Sequence, residues 1–122
     1  MIDAQDLAQR YIASWNESDP VVRRQLVDRL WSQDARYADP MMKADGQDGI
    51  AELIGGVHRQ FPGYCFALTG QADGHGLFVR FSWSLAPAGG RAVAFGTDFA
   101  SVAPDGRLEQ VTGFLDQVPG TA

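Results

Sequence analysis

The second half of the chain constrains the fold most strongly, because it alternates β-rich runs with tight-turn sequences. The runs are rich in Phe, Val and other strand-forming residues. The segments between them combine Gly with Asp or Pro, which favour turns. The four runs span residues 64–72, 77–86, 92–102 and 108–118. Strands joined by such short connections pair most simply as antiparallel hairpins, so this half is predicted to form a mainly antiparallel sheet.

The first half instead carries apolar residues at the three- and four-residue spacing of amphipathic helices. In the first predicted helix this stripe ends at Trp15, and Asp3 is the expected N-cap. A second helix is predicted to begin with Asp19 as its N-cap and Pro20 at the first helical position, where a missing N–H has no cost. The apolar stripe of this second helix is predicted to reach Trp31.

An extended piece and a loop are predicted between the second and third helices. Within residues 35–39, Asp39 precedes Pro40, which pushes the Asp39 backbone out of helical geometry. Residues 41–45 are predicted to form a loop, and the third helix to span residues 47–60. Three helices followed by strands that share one sheet make an α+β domain.

Size and charge exclude several classes of protein. With 122 residues, the chain is predicted to be a single domain over residues 1–122. The formal charge of −5 argues against nucleic acid and anionic membranes, because both need a basic protein surface. Cys65 is the only cysteine, and the N-terminus lacks the basic and apolar regions of a signal peptide. We therefore expect a cytoplasmic protein without an internal disulfide.

The run over residues 92–102 contains the residue that most suggests a function, Asp98. Alternation along a strand places Asp98 on one face with Ala94, Gly96, Ala100 and Val102. Small residues leave space above a sheet, and burial without a counter-charge raises the pKa of a carboxyl group. A perturbed acid in a cavity is a candidate functional group. The alternative is an edge strand with Asp98 in solvent.

Four short sequences, in this order, resemble the nuclear transport factor 2-like superfamily, which includes ketosteroid isomerase and the SnoaL-like polyketide cyclases. They lie at residues 9–16, 37–40, 96–99 and 105–116. The resemblance covers essentially the whole chain. It implies a cone-shaped roll of three N-terminal helices packed on a curved, mainly antiparallel sheet, as in cystatin-like folds. It does not define the function, because the fold hosts isomerases, hydrolases, cyclases and plain binding proteins.

The resemblance to ketosteroid isomerase implies three catalytic residues. The general-base aspartate of that family corresponds to Asp39, the oxyanion-hole tyrosine to Tyr11 and the protonated oxyanion-hole aspartate to Asp98. Two of them also fit structural roles. Tyr11 lies on an apolar helix stripe suited to a core, and Asp39 precedes Pro40, as is common in turns.

The same resemblance, together with strand alternation, predicts the pocket. Tyrosines that support the oxyanion tyrosine in ketosteroid isomerase correspond to Trp31 and Ile54. We therefore expect a small apolar or carbonyl-bearing ligand rather than a steroid. The residues predicted to line the pocket are Trp15, Trp31, Ile54, Trp83, Gly96, Val111, Gly113 and Leu115.

Three functions are compatible with these features. The first hypothesis is a cofactor-independent enzyme that moves a proton next to a carbonyl group, of the isomerase or cyclase type. The alternatives are a ligand-binding protein without turnover and a dimeric interaction module. A homodimer is expected through the outer sheet face, which would carry Phe95 and Phe99. No metal and no organic cofactor are predicted, since the two histidines lack metal-ligand spacing and no phosphate-binding loop is present.

Overall fold

A computed structural model describes residues 2–117, which form three helices and one curved mixed sheet of seven strands. Val118, the last residue of the fourth predicted run, lies outside the described residues. In chain order the elements are α1 Ala4–Asn16, α2 Pro20–Leu30, β1 Trp31–Ala38, β2 Lys43–Asp45, α3 Gly46–Gln60, β3 Tyr64–Leu68, β4 Asp73–His75, β5 Phe78–Pro87, β6 Ala94–Val102 and β7 Leu108–Gln117.

The sheet has the order β2-β1-β7-β6-β5-β3, and β4 pairs with β5. Every pairing is antiparallel except that of β1 with β7, which is parallel. The register shifts between Phe95 and Gly96 and again between Ser101 and Val102. Such irregularities bend a strand and increase its twist. They curve the sheet around its inner face, which carries Asp98.

Two strands precede the third helix, so the three helices do not form one N-terminal block. Residues 35–39 were predicted to be extended, and they form the end of β1 and the residue after it. The predicted loop at residues 41–45 contains strand β2, because its residues pair with the end of β1. Trp31 was placed on the stripe of the second helix but is the first residue of β1.

The helix starts follow the predicted capping chemistry. The Asp3 carboxylate accepts the backbone N–H of Asp6 at 3.0 Å, and the Asp19 carboxylate accepts that of Val21 at 2.9 Å. Pro20 occupies the first position of α2. Both predicted N-caps are therefore confirmed. These bonds satisfy backbone donors that have no partner inside the helix.

The core lies between α1, α3 and the inner face of the sheet. Leu7 and Tyr11 of α1 pack against the same cluster as Ile54 of α3 and Phe81 of β5. The Tyr11 and Phe81 rings meet edge to face, with centroids 4.8 Å apart. This packing buries the apolar stripe of α1 against the inner face of the sheet and brings Tyr11 to Asp98. No helix within residues 2–117 combines the length and the apolar character needed to cross a membrane.

Candidate functional site

An apolar cavity of about 460 Å³ lies between α1, the end of α3, the segment after β1 and the inner face of the sheet. Its wall includes all three residues expected to be catalytic: Tyr11, Asp39 and Asp98. Most other wall residues are aromatic or aliphatic. A concave, largely apolar site with a few convergent polar groups is the usual form of a small-molecule site.

Asp98 projects from the middle of β6 into the closed end of this cavity. Its side chain is only 2% exposed, which confirms the predicted burial. The Tyr11 hydroxyl donates to Asp98 Oδ2 at 2.7 Å, and the Trp83 indole N–H donates to Asp98 Oδ1 at 3.1 Å. Each carboxylate oxygen therefore has one partner, as a buried charged group requires.

Burial raises the pKa of Asp98 from its ordinary 3.8 to about 6, the direction expected from its strand face. Desolvation is the main cause, and the charge of Asp39 adds to it, while the hydrogen bonds from Tyr11 and Trp83 oppose it. Burial and the neighbouring Asp98 charge also raise the pKa of Tyr11 well above its usual range. At pH 7 Asp98 is thus mostly ionised, and Tyr11 keeps its proton.

Asp39 is held at the cavity wall by four hydrogen-bonding groups. The backbone N–H groups of Met41 and Met42 donate to its Oδ1 at 2.8 and 2.9 Å. The Tyr37 hydroxyl donates to its Oδ2 at 2.7 Å, and its own N–H donates to the Met42 carbonyl at 2.9 Å. The turn geometry expected before Pro40 is present, and Asp39 contributes to the cavity wall. The turn and site interpretations of Asp39 therefore describe the same arrangement.

Tyr37 is a site residue that the sequence analysis missed. It stands two residues before Asp39 on β1, so alternation places both side chains on one face of the strand. Its ring is buried and lies 5.5 Å from that of Trp15, and burial raises the pKa of its hydroxyl. The spacing of two residues between Tyr37 and Asp39 was the sequence feature that could have identified Tyr37 as a neighbour of Asp39 in the site.

Gly113 separates the two carboxyl groups. A methyl group added to its Cα would lie 2.8 Å from Asp98 Oδ1 and 3.3 Å from Asp39 Cβ. Gly113 faces Asp98 directly across the β6–β7 pair. The absence of a side chain at this position is what allows both carboxyl groups to reach the same end of the cavity.

Gly96 has a different structural role from Gly113: the Trp83 ring packs directly against its Cα. An added Cβ would be only 2.2 Å from Trp83 Cζ2 and 2.5 Å from Cε2. The indole therefore lies flat over Gly96, and its N–H points at Asp98. Gly96 was predicted to leave open space in the pocket, whereas Trp83 fills that space.

Four of the eight residues predicted to line the pocket lie on the cavity wall: Trp15, Trp83, Gly113 and Leu115. The other four do not, which corrects the prediction. Trp31, Ile54 and Val111 are fully buried and belong to the core beneath the cavity. Gly96 is covered by the Trp83 ring. The correspondence with ketosteroid isomerase identified positions near the oxyanion tyrosine, but apolar side chains there pack into the core.

Among residues 2–117 there is no group of three or more His, Cys, Asp or Glu side chains that could hold a metal ion. His58 lies in the last turn of α3, where one ring nitrogen is 2.7 Å from the Trp15 carbonyl oxygen. His75 is exposed, but it belongs to strand β4 rather than to a simple turn.

The raised pKa of Asp98 predicts a specific dependence of stability on pH. The folded protein binds this proton more tightly than the unfolded chain does, so the contribution to stability is complete below about pH 4 and is lost as pH rises through about 6. The difference between 3.8 and about 6 corresponds to about 3 kcal/mol. Asp98→Asn mimics the neutral acid, and we expect its advantage in unfolding free energy to grow by that amount between pH 4 and pH 8.

Urea unfolding of both proteins at several pH values measures this difference, and subtraction removes the titration of all other groups. NMR titration of the Asp98 carboxyl carbon provides the direct check. A midpoint at or below about 3.9 would contradict the raised pKa.

Two aspartates on the wall of an apolar cavity, on the inner face of a curved sheet, define an α+β domain with a ligand-sized pocket. The family model described as the SnoaL-like domain matches residues 8–111. The chain belongs to this family.

Solved structures agree with this assignment. A protein from Agrobacterium tumefaciens strain C58, named "putative isomerase of the SnoaL-like family", is 48% identical, with a TM-score of 0.91 over 93% of this chain and 97% of that chain. A "putative SnoaL-like polyketide cyclase" from Jannaschia sp. CCS1 is 13% identical, with a TM-score of 0.70 over 95% and 90% of the two chains.

An NTF2-like protein of unknown function from Cytophaga hutchinsonii ATCC 33406 is 11% identical, with a TM-score of 0.70 over 95% and 92% of the two chains. At such identities the last two matches establish the shared fold alone. No curated protein matches the chain.

Proposed function

We propose that this protein is a cofactor-independent acid–base catalyst that moves a proton next to a carbonyl group of a small apolar substrate, in an isomerase or cyclase reaction. The observation that supports this most directly is the pair of carboxyl groups on either side of Gly113. Asp98 is buried with a raised pKa, whereas Asp39 is half-buried and held by backbone N–H groups. Two acids in unlike surroundings suit an acid and a base.

In the proposed reaction Asp39 is the base. Its ionised carboxylate takes a proton from the carbon next to the carbonyl, and the electron pair of that C–H bond moves onto the carbonyl oxygen. Oδ2 of Asp39 accepts one hydrogen bond, from Tyr37, so it retains acceptor capacity for this proton. Returning the proton to another carbon isomerises the substrate. Attack of the carbanion on a second carbonyl instead closes a ring, and the oxygen of that carbonyl takes the proton back from Asp39.

Tyr11 and Asp98 are proposed to stabilise the oxyanion as a pair. Whether the pair can donate a hydrogen bond depends on how many hydrogens its two oxygens hold. When Asp98 is ionised, the Tyr11 hydrogen is used in the bond to Asp98. When Asp98 is protonated, the pair holds two hydrogens, of which one joins the two oxygens and the other can be donated to a ligand. Binding of an oxyanion should therefore require uptake of one proton by this pair.

A nitrophenol tests the binding part of this proposal, because the ionised form mimics an enolate and absorbs visible light. We expect the affinity of the wild-type protein for the ionised nitrophenol to fall above about pH 6, where Asp98 ionises. Asp98→Ala should abolish this pH dependence, because it removes the carboxyl group whose ionisation engages the Tyr11 hydrogen. Asp45→Ala is the matched control, because Asp45 is an exposed acid at the end of β2 and lies outside the cavity wall.

Binding that is indifferent to both pH and Asp98 would argue against the oxyanion role. The same samples, given a cyclic ketone in heavy water, report hydrogen exchange next to the carbonyl by NMR. Binding of the phenol without any exchange of the ketone by the wild-type protein would favour the alternative, a ligand-binding protein without turnover.

The relatives lend the proposal indirect support. The name of the 48% identical protein from Agrobacterium tumefaciens includes an isomerase activity, and that of the Jannaschia protein a polyketide cyclase activity. Proton transfer next to a carbonyl group, the step assigned here to Asp39, is compatible with both activities.

We also propose a homodimer through the outer face of the sheet, and here the support is exposed aromatic surface. Phe99 is 47% exposed and Phe114 is 56% exposed, and Phe99 stacks on Phe78 with centroids 5.7 Å apart. Phe95, also expected on this face, is half-buried. Large exposed apolar patches are typical of interfaces.

Light scattering at high micromolar concentration should give twice the chain mass for the wild-type protein. Phe99→Glu should give the monomer mass. The control is Val21→Glu, which changes an exposed apolar residue on α2, away from the sheet, and should remain dimeric. A monomeric wild-type protein would reject the interface.

A further inference from the structure

We infer that the cavity selects ligands that carry a positively charged nitrogen on an apolar body, such as a protonated aryl-alkyl amine, and discriminates against carboxylates of the same shape. The inference rests on the proposed function, because it names the substrate class of that same cavity. Three independent features of the wall support it: the sign of its charges, the direction of its hydrogen bonds and the arrangement of its aromatic rings.

The cavity wall carries two side chains that can be charged near neutral pH, and both are acidic. Asp39 and Asp98 contribute to it, and no Lys, Arg or His of the described chain does. Residues 118–122 contain none of these three types either. An anionic ligand would therefore lose its hydration without gaining a cationic partner, which is costly in an apolar site. A cation would instead approach two carboxyl groups, and the charge of one, Asp39, already disfavours the ionisation of the other, Asp98.

The hydrogen-bond donors at the closed end already have acceptors. The hydroxyls of Tyr11 and Tyr37 and the indole N–H of Trp83 all donate to the two carboxylates. The Trp15 indole N–H is buried and does not reach the cavity. The Gln60 amide, at the end of α3, remains as a side-chain donor to a ligand.

Acceptor capacity, in contrast, remains. A carboxylate can accept about four hydrogen bonds. Asp98 accepts bonds from two side chains, and Asp39 accepts one from Tyr37 and two from backbone N–H groups. The ionised site therefore offers acceptors to a ligand, and an ammonium group with three N–H donors complements it.

The aromatic rings of the wall form a connected series beside these carboxyl groups. The Trp15 ring centroid lies 5.5 Å from that of Tyr37 and 5.4 Å from that of Phe66, and Phe66 lies 5.4 Å from Trp83. Aromatic faces attract cations, and the attraction increases when the pair is removed from water. A volume of about 460 Å³ accommodates a ligand with two fused rings.

A cationic nitrogen would also assist the proposed reaction. Removing a proton next to a carbonyl neutralises Asp39 and creates negative charge on the substrate, which Asp98 repels when it is ionised. A positive charge carried by the substrate offsets this repulsion. The cavity then needs no cationic side chain of its own.

Three probes of one shape test the inference: 2-naphthylmethylamine, 2-naphthalenemethanol and 2-naphthoate, measured by calorimetry at pH 8, where Asp98 is ionised. We expect the amine to bind at least about tenfold more tightly than the alcohol, in line with a desolvated cation–π and ion-pair contribution. The naphthoate should bind at least about tenfold more weakly than the alcohol. Equal affinities, or no binding of the amine, would overturn the inference.

Variants separate a local effect from the overall negative charge. Asp98→Asn and Asp39→Asn should each remove most of the amine preference and change the alcohol affinity little. Asp45→Asn makes the same charge change outside the cavity wall and should retain the preference. Equal losses in all three variants would overturn the local site. The exchange assay uses a neutral ketone, so the two proposals can fail separately. A wild-type protein that exchanges the ketone but shows no preference for the amine rejects this inference alone. A protein that prefers the amine but does not exchange the ketone rejects the catalytic proposal alone.

Discussion

Asp39→Asn is expected to slow hydrogen exchange next to the carbonyl of a bound ketone by about 10²- to 10⁴-fold, the usual contribution of a general base. An amide cannot take the proton, because its oxygen is far less basic than a carboxylate. The fold should persist, since the Asn oxygen can still accept the N–H groups of Met41 and Met42 while its NH₂ group faces the Tyr37 hydroxyl. Ketone affinity should therefore change little.

Deuterium incorporation followed by NMR at saturating ketone measures this effect, after subtraction of the rate without protein. Asp45→Asn is the matched control: Asp45 is an exposed acid at the end of β2, outside the cavity wall, and its side chain makes no capping bond to α3. It should exchange at the wild-type rate. An Asp39→Asn protein that exchanges as fast as Asp45→Asn would remove Asp39 from the mechanism.

Gly96→Ala is expected to lower the free energy of unfolding by about 2–4 kcal/mol, from overpacking and a lost hydrogen bond to a charged group. The added Cβ would lie 2.2 Å from the Trp83 ring and 2.8 Å from the Phe114 carbonyl oxygen. The backbone cannot yield easily, because β6 is paired on both sides. The indole must move, and Asp98 then loses the N–H that opposes the rise in its pKa.

Urea unfolding and NMR titration of Asp98 measure both consequences of this substitution. Gly56→Ala is the control, because its Cβ would meet only Arg59 Nη2, at 3.7 Å, and a helical Gly→Ala change stabilises by about 1 kcal/mol. In a Trp83→Ala background the penalty at Gly96 should largely disappear, since contacting residues show non-additive effects. Additive losses in this double-mutant cycle would show that Trp83 is not the residue displaced.

Much of the local structure was predictable because it depends on neighbours in the chain. The N-caps at Asp3 and Asp19 were correct, since the capping oxygen and the N–H it accepts lie two or three residues apart. The burial of Asp98 followed from the alternation of a strand whose other members on that face are small. The family resemblance, likewise carried by short sequences, agrees with the SnoaL-like match over residues 8–111.

Errors occurred where a residue depends on partners far along the chain. The parallel pairing of β1 with β7 joins residues more than 70 positions apart, and no local pattern specifies it. That pairing draws Trp31 out of the helix stripe and into the core. Trp83 covers Gly96 for a similar reason, because only cross-strand pairing shows which side chain fills the space above a glycine.

The sequence by itself determined that the protein has capped helices, a strand-rich second half and a carboxyl group on a small-residue sheet face, because these properties depend on short-range spacing. Only the tertiary structure decided what surrounds that carboxyl group. The direction of the Tyr11 and Trp83 hydrogen bonds and the approach of Asp39 across Gly113 are set by contacts between distant segments. Burial by those segments raises the pKa of Asp98 to about 6, against the two hydrogen bonds, which lower it. Desolvation and charge act through space, so their strength depends on distances that the fold alone establishes.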